Sequence, residues 1–126
     1  GLECVISQRL VRRLCPHCRE PSTPDPEVQK LLGPAFASPG LYDHVSRGCD
    51  RCHHQGFKGR VALHEVLSVT ESMRHVIASG GAVREMVEQA ESDGLVTLAA
   101  DARYRVEAGE TNLAEILRVL GSQIDI

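Results

Sequence analysis

Two Cys-x-x-Cys pairs, Cys15-Pro16-His17-Cys18 and Cys49-Asp50-Arg51-Cys52, constrain the fold of this chain more than any other feature. Each pair turns two sulfurs to one side of a tight loop, within the span of one edge of a tetrahedral ion's shell. Two such turns supply four thiolates at about 2.3 Å, which closes the shell to water and makes the site structural rather than catalytic. Thirty residues separate Cys18 from Cys49. That exceeds the roughly fifteen to twenty of a common zinc ribbon, but loop-closure entropy grows only logarithmically with length. The expected ligands of a structural Zn2+ are therefore Cys15, Cys18, Cys49 and Cys52, and no catalytic or other cofactor-binding residue stands out.

Other readings of the same cysteines stay open. A thioredoxin-like redox centre would use Cys15 and Cys18 at a helix start and would not need the second pair. Four buried thiols without metal would leave the doubled spacing unexplained. His17, His44, His53 or His54 could replace one sulfur as ligand, although four thiolates already complete the shell. His53 and His54 are expected in solvent, with His64 and His75 on helix or strand faces without special chemistry. The fifth cysteine, Cys4, reads as a small buried apolar residue. Four thiolates on a divalent ion leave a charge of −2, so some of Arg9, Arg12, Arg13, Arg19, Arg47, Arg51 and Arg60 are candidate donors to sulfur, the others being a solvated face.

Composition narrows the function. A chain of 126 residues with 42% hydrophobic and 25% charged residues is globular material for one modest domain or two very small ones. A net charge of −3 and only four aromatics, Phe36, Tyr42, Phe57 and Tyr104, argue against a nucleic-acid partner. No Gly-x-x-x-x-Gly-Lys-Ser/Thr stretch is present to cradle a nucleotide phosphate. No apolar run is long enough for a membrane helix, and residues 1–14 carry too many charges for a cleavable signal. An odd cysteine count without such a signal suits a reducing cytoplasm.

Along the chain, residues 1–14 fit helix and strand templates about equally, and the expectation is a short helix end followed by a strand over Gln8–Leu14. Residues 15–58 hold both cysteine pairs, every proline and four of the six histidines. This reads as a loop-rich module whose cross-link replaces a core. A β pattern follows in residues 60–67, where Val61 and Leu63 alternate with smaller or polar neighbours. From Thr70 the period turns helical. Thr70 caps a helix over Glu71–Ser79 ended by Gly80-Gly81, and Val83, Met86, Val87 and Ala90 stripe the next, ended by Asp93-Gly94. Leu95, Leu98, Ala99, Ala102 and Val106 line a third, closed by Gly109. Asn112 with Glu115 opens a fourth in the manner of a capping box, with Leu113, Ile116, Leu117 and Leu120 on one face and Gly121 closing it. All four stripes are expected to be core.

Taken together, Gln8–Cys18, Gly48–Cys52 and Gly56–Leu67 resemble the tetracysteine region of bacterial type II secretion ATPases and of the pilus-assembly ATPases of type IV pili. The tail is similar too, in Asp93-Gly94-Leu95-Val96-Thr97-Leu98, Asp101, Gly109-Glu110-Thr111-Asn112-Leu113 and Glu115–Val119. Asp101-Ala102 departs from the family's frequent Asp-Gly. The resemblance spans essentially the whole chain and implies an α+β fold. Strands of a RecA-like core (1–14 and 59–69) would be interrupted by a zinc-binding module (15–58) and followed by a helical subdomain of about four short helices (70–126). It implies a C-terminal piece of a larger motor whose ATP and Mg2+ chemistry lies elsewhere. Implied partners are inner-membrane platform proteins and neighbouring subunits of a homo-hexamer at the cytoplasmic face, with no nucleic acid and no membrane span. On this view the module projects as a rigid arm, and chelation loosens residues 15–58 while the helices stay folded. The competing reading is a free-standing zinc-ribbon adaptor for protein or nucleic acid.

Overall fold

The computed structural model describes residues 3–23, 25–34 and 41–121; Gly1, Leu2, Pro24, residues 35–40 and residues 122–126 of the expected divisions lie outside them. A long antiparallel ribbon pairs β1 (Cys4–Leu14) with β4 (Phe57–Ser68). Its register runs from Cys4↔Ser68 to Arg12↔Arg60 and then shifts, so that Leu14 faces Phe57. The extra residue sits in β4, immediately beside the first cysteine pair, where such a bulge re-aims the chain. The expected helix end before Gln8 is not formed. Val5 and Ile6 are β-branched, and pairing of Cys4 to Ile6 with Val66 to Ser68 outweighs their ambiguous local preference.

Cross-strand pairs Val5↔Leu67, Ser7↔Glu65, Arg9↔Leu63 and Val11↔Val61 share one face of the ribbon. Val11 and Leu63 on that face are fully buried, whereas Ile6 and Leu10 on the other are exposed. Between the two strands lie β2 (Arg19–Ser22), α1 (Pro26–Leu32) and β3 (Leu41–His44), with β2 and β3 forming a second antiparallel pair. Asp25 caps α1 by accepting from the Glu27 backbone N–H at 2.9 Å, and Pro26 supplies the preset φ of a first helical turn.

Four helices follow: α2 (Glu71–Ala78), α3 (Val83–Ser92), α4 (Leu98–Glu107) and α5 (Leu113–Leu120). Thr70, Thr97 and Asn112 cap α2, α4 and α5 through their side-chain oxygens. The fold is thus α+β, with five α-helices and two small antiparallel sheets among the described residues.

Among the described residues two apolar clusters hold it, besides a small buried cysteine cluster. The larger joins Val11, Leu32, Leu41, Leu63, Ala102, Val106, Leu113, Ile116 and Leu120. It draws on the ribbon, the excursion between its strands, and α4 and α5 together. Residues 15–58 therefore bury side chains in the same core as the helices, which corrects the expectation of a projecting arm. The sequence reading missed this because the helical spacing of Val28, Leu31 and Leu32 spans barely two turns among prolines and glycines, and Leu41 stands apart from it.

The smaller cluster joins Val69, Met73 and Ala90, flanked by Leu67, Met86 and Leu95. Leu95 precedes α4 rather than lying on it, because the Thr97 cap starts the helix at Leu98. The α3 stripe is only half buried, with Val83 74% exposed. Val87 instead lines an open apolar groove together with Val5, Leu67, Met73, Ile77 and Met86.

Candidate metal centre

β1 ends at Leu14 and delivers Cys15 directly, its amide still held by the Gly56 carbonyl at 2.9 Å. The chain then turns sharply. Cys18 N–H and Arg19 N–H both donate to the Cys15 carbonyl, at 3.3 and 3.0 Å, and β2 begins at Arg19. The second pair repeats this turn. Cys49 precedes a 3-10 turn over Asp50–Cys52, and its carbonyl accepts from Cys52 N–H at 3.2 Å and His54 N–H at 2.8 Å. His53 and His54 leave that turn with positive φ of 55° and 61°, the left-handed region that histidine tolerates better than β-branched residues. Val45 N–H donates to the Cys18 carbonyl at 3.0 Å and so joins the end of β3 to the first turn.

These turns bring the sulfurs of Cys15, Cys18, Cys49 and Cys52 within 4.8 Å of one another. Cys15 and Cys49 stand 3.7 Å apart, Cys18 and Cys52 3.8 Å, and Cys49 and Cys52 3.7 Å. A tetrahedral ion with metal–sulfur bonds of about 2.3 Å has sulfur–sulfur edges of about 3.8 Å. The donor set and its spacing therefore fit a tetrahedral thiophilic ion such as Zn2+. Cys15, Cys18 and Cys52 are buried and Cys49 is half-buried, with Val45 packed against them.

The electrostatics point the same way. Burial and the neighbouring thiols of Cys49, Cys52 and Cys15 push Cys18 up to about 12. Burial also resists ionisation of Cys52, but the Cys49 and Gly56 backbone N–H groups, donating to its sulfur at 3.3 and 3.2 Å, bring it down to about 6. The backbone donors thus favour the Cys52 thiolate, while burial and neighbouring thiols disfavour that of Cys18. A divalent ion is what would let all four ionise.

The histidines raised as substitute ligands are not in the cluster. His17, His53 and His54 are exposed. His54 pairs with Asp50 at 3.1 Å, and His44 directs Nδ1 at the Val45 carbonyl at 2.7 Å while packing edge-on against Phe57. His64 and His75 are exposed on a strand and a helix, in line with the reading of them. Cys4 is exposed, not buried; it opens β1 on the outward face of the ribbon.

Four of the arginines named as sulfur donors have other partners. Arg9 donates to the Gln8 carbonyl at 2.9 Å, Arg12 pairs with Glu115, Arg13 donates to the Lys58 carbonyl at 3.1 Å, and Arg19 donates to the Gly109 carbonyl at 2.7 Å. Among the described residues the N–H donors to sulfur are the backbone amides of Cys49 and Gly56. Only the glycine following the second pair hinted at this. Gly56 is buried, with φ 80°, and a Cβ there would lie 2.2 Å from the His44 ring. Only glycine lets the backbone approach so closely.

The chain is similar in sequence to known proteins. The family model described as type II/IV secretion system protein matches residues 1–118. The chain is 43% identical over 114 residues to the type IV pilus assembly ATPase PilB of Thermus thermophilus, a match covering 90% of this chain and 13% of that protein. It is 38% identical over 115 residues to the type II secretion system protein E of Pseudomonas aeruginosa, covering 91% and 22% respectively. It is 40% identical over 121 residues to the protein transport protein HofB homolog of Escherichia coli, covering 96% and 25%. The chain thus spans between 13% and 25% of the length of these relatives.

Proposed function

The chain belongs to the type II/IV secretion system protein family, and from that premise we propose that it is the zinc-binding C-terminal part of a secretion or pilus-assembly ATPase. In this reading Cys15, Cys18, Cys49 and Cys52 hold one Zn2+ that organises the chain between β1 and β4. The ion supplies cross-linking, not chemistry: four thiolates leave no position for water or substrate. ATP and Mg2+ are handled elsewhere in the longer protein, since this stretch has no phosphate-cradling loop. The division into core strands (1–14 and 59–69), a cysteine module (15–58) and a helical subdomain (70–126) belongs to the same proposal. The fold adds that the last two share a core.

The partners that fit are neighbouring subunits of a homo-hexamer and inner-membrane platform proteins, with the protein working at the cytoplasmic face. No helix among the described residues is long and apolar enough to cross a membrane.

The observation that carries the metal reading is the set of 3.7–3.8 Å sulfur–sulfur edges. Elemental analysis of freshly purified, reduced protein tests it. About one zinc per chain is expected, and Cys49→Ser should lose it. Metal-free protein with all five thiols, Cys4 included, reduced and titratable would overturn the reading. For the motor, ATP-dependent export by the full-length protein should fail when Cys15 and Cys18 are both replaced by serine. Unimpaired export would remove the ion from the working machine.

A further inference from the structure

The connection between α4 and α5 is buried at Gly109, Thr111 and Asn112. A buried loop must find partners for its polar groups. Here they come from the flanks of the cysteine pairs. Arg19, next to Cys18, donates from Nη1 to the Gly109 carbonyl at 2.7 Å. Leu14, next to Cys15, donates its N–H to the Glu110 carbonyl at 2.9 Å. The Thr111 hydroxyl donates to the Arg12 carbonyl at 2.9 Å, and the Arg12 N–H donates to Glu115 at 2.8 Å. Asn112 Nδ2 donates to Asp43 at 3.0 Å, at the end of β3 that leads to Val45 and the sulfurs. Gly109 is fitted closely to this setting: a Cβ there would lie 2.9 Å from Arg19 Nη1 and 3.1 Å from the Tyr42 ring. Helices α2 and α3 bury their contacts in the other cluster.

We propose that the cysteine cage is a clamp on the α4–α5 connection: an ion held by Cys15, Cys18, Cys49 and Cys52 fixes the strand end and turn from which Arg12, Leu14 and Arg19 grip residues 109–115. The proposal rests on the metal reading above. Loading of the cage then sets the order of that connection and of α5, and leaves α2 and α3 untouched. When the cage empties, the turn from Cys15 to Cys18 loses its cross-link, and the carbonyls of Gly109 and Glu110 lose donors held in place. The coupling is reciprocal by linkage, so loosening the grip weakens ion binding by the same factor.

Amide hydrogen exchange on the zinc-loaded and chelator-stripped chain, kept reduced and with zinc measured on the same samples, tests this. Stripping should speed exchange about tenfold or more at residues 12–19 and 108–118, and by less than about twofold at residues 71–92. Arg19→Ala should keep one zinc per chain, exchange faster at residues 109–112 even when loaded, and hold zinc less tightly against a chromophoric chelator. Faster exchange confined to residues 15–56 overturns the clamp and leaves the metal reading standing. An equal rise in α2 and α3 reports loss of global stability and also overturns the clamp. Zinc-free starting material with reduced thiols removes both.

Discussion

Glu115 carries a charge with its side chain only 1% exposed, on the inward face of α5. Burial alone would raise its carboxyl. Hydrogen bonds from Arg118 and Arg12, including the Arg12 backbone N–H, instead hold it at about 2. A folded value below the unfolded 4.5 gives stability that is present above 4.5 and lost as pH falls through about 2. Unfolding free energy measured by urea titration should therefore fall across that window in the native chain, and Glu115→Gln should flatten the fall. Glu115→Ala should cost about 2–3 kcal/mol in the same titration at neutral pH, since Arg12 and Arg118 are half exposed and can rehydrate.

The Asn112–Glu115 spacing read as a capping box, and half of one forms. Asn112 Oδ1 accepts from Glu115 N–H at 2.8 Å, but the Glu115 carboxylate turns to Arg12, 103 residues away in sequence. A local motif shows which groups need partners and cannot show a partner so distant. Gly56→Ala tests the other close fit. It should cost about 1–3 kcal/mol, read as a lowered urea midpoint, and weaken zinc retention, because the added methyl meets the His44 ring and disturbs the amide donating to Cys52.

Among the elements, the four C-terminal helices and β4 were legible because each carries a period and a cap or stop. The excursion between β1 and β4 was legible only at its cysteines. Its remaining structure, β2, α1 and β3, takes form against other elements: Leu32 and Leu41 are buried with Val106, Leu113 and Ile116. Pro21 hid β2, whereas α1 does carry a local signal, the Asp25 cap, Pro26 and the Val28, Leu31, Leu32 spacing, which its seven-residue length and loop-like surroundings obscured. Leu32→Ala should therefore destabilise the shared core by about 2–4 kcal/mol. The check is circular dichroism of the reduced, zinc-loaded chain, whose helical signal should melt earlier. Melting unchanged at the helices would mean that the excursion does not support them.

For the molecule as a whole, the separation into two clusters matters more than the number of elements. Met73 anchors one and Leu32 the other. Substitutions without shared partners add, so Met73→Ala and Leu32→Ala should combine within about 0.5 kcal/mol when both single and double variants are titrated with urea. Coupling beyond that would join the clusters into one unit. The cysteine cage was readable from spacing alone because metal chemistry fixes residue type and separation together. The attachment of that cage to the α4–α5 connection was not readable, because it joins residues far apart in sequence and runs largely through main-chain carbonyls that any residue supplies.

Leu14 and Phe57 face one another across the ribbon, so the polypeptide departs and returns at the same rung. A tight hairpin could splice that gap and leave the ladder whole. Such a shortened cousin would nonetheless inherit a dent where Leu32 and Leu41 had been, above Ala102, Val106 and Leu113. Bulkier side chains on α4 or α5 would have to plug it, and their appearance in step with the excision is the imprint this architecture should leave on its lineage.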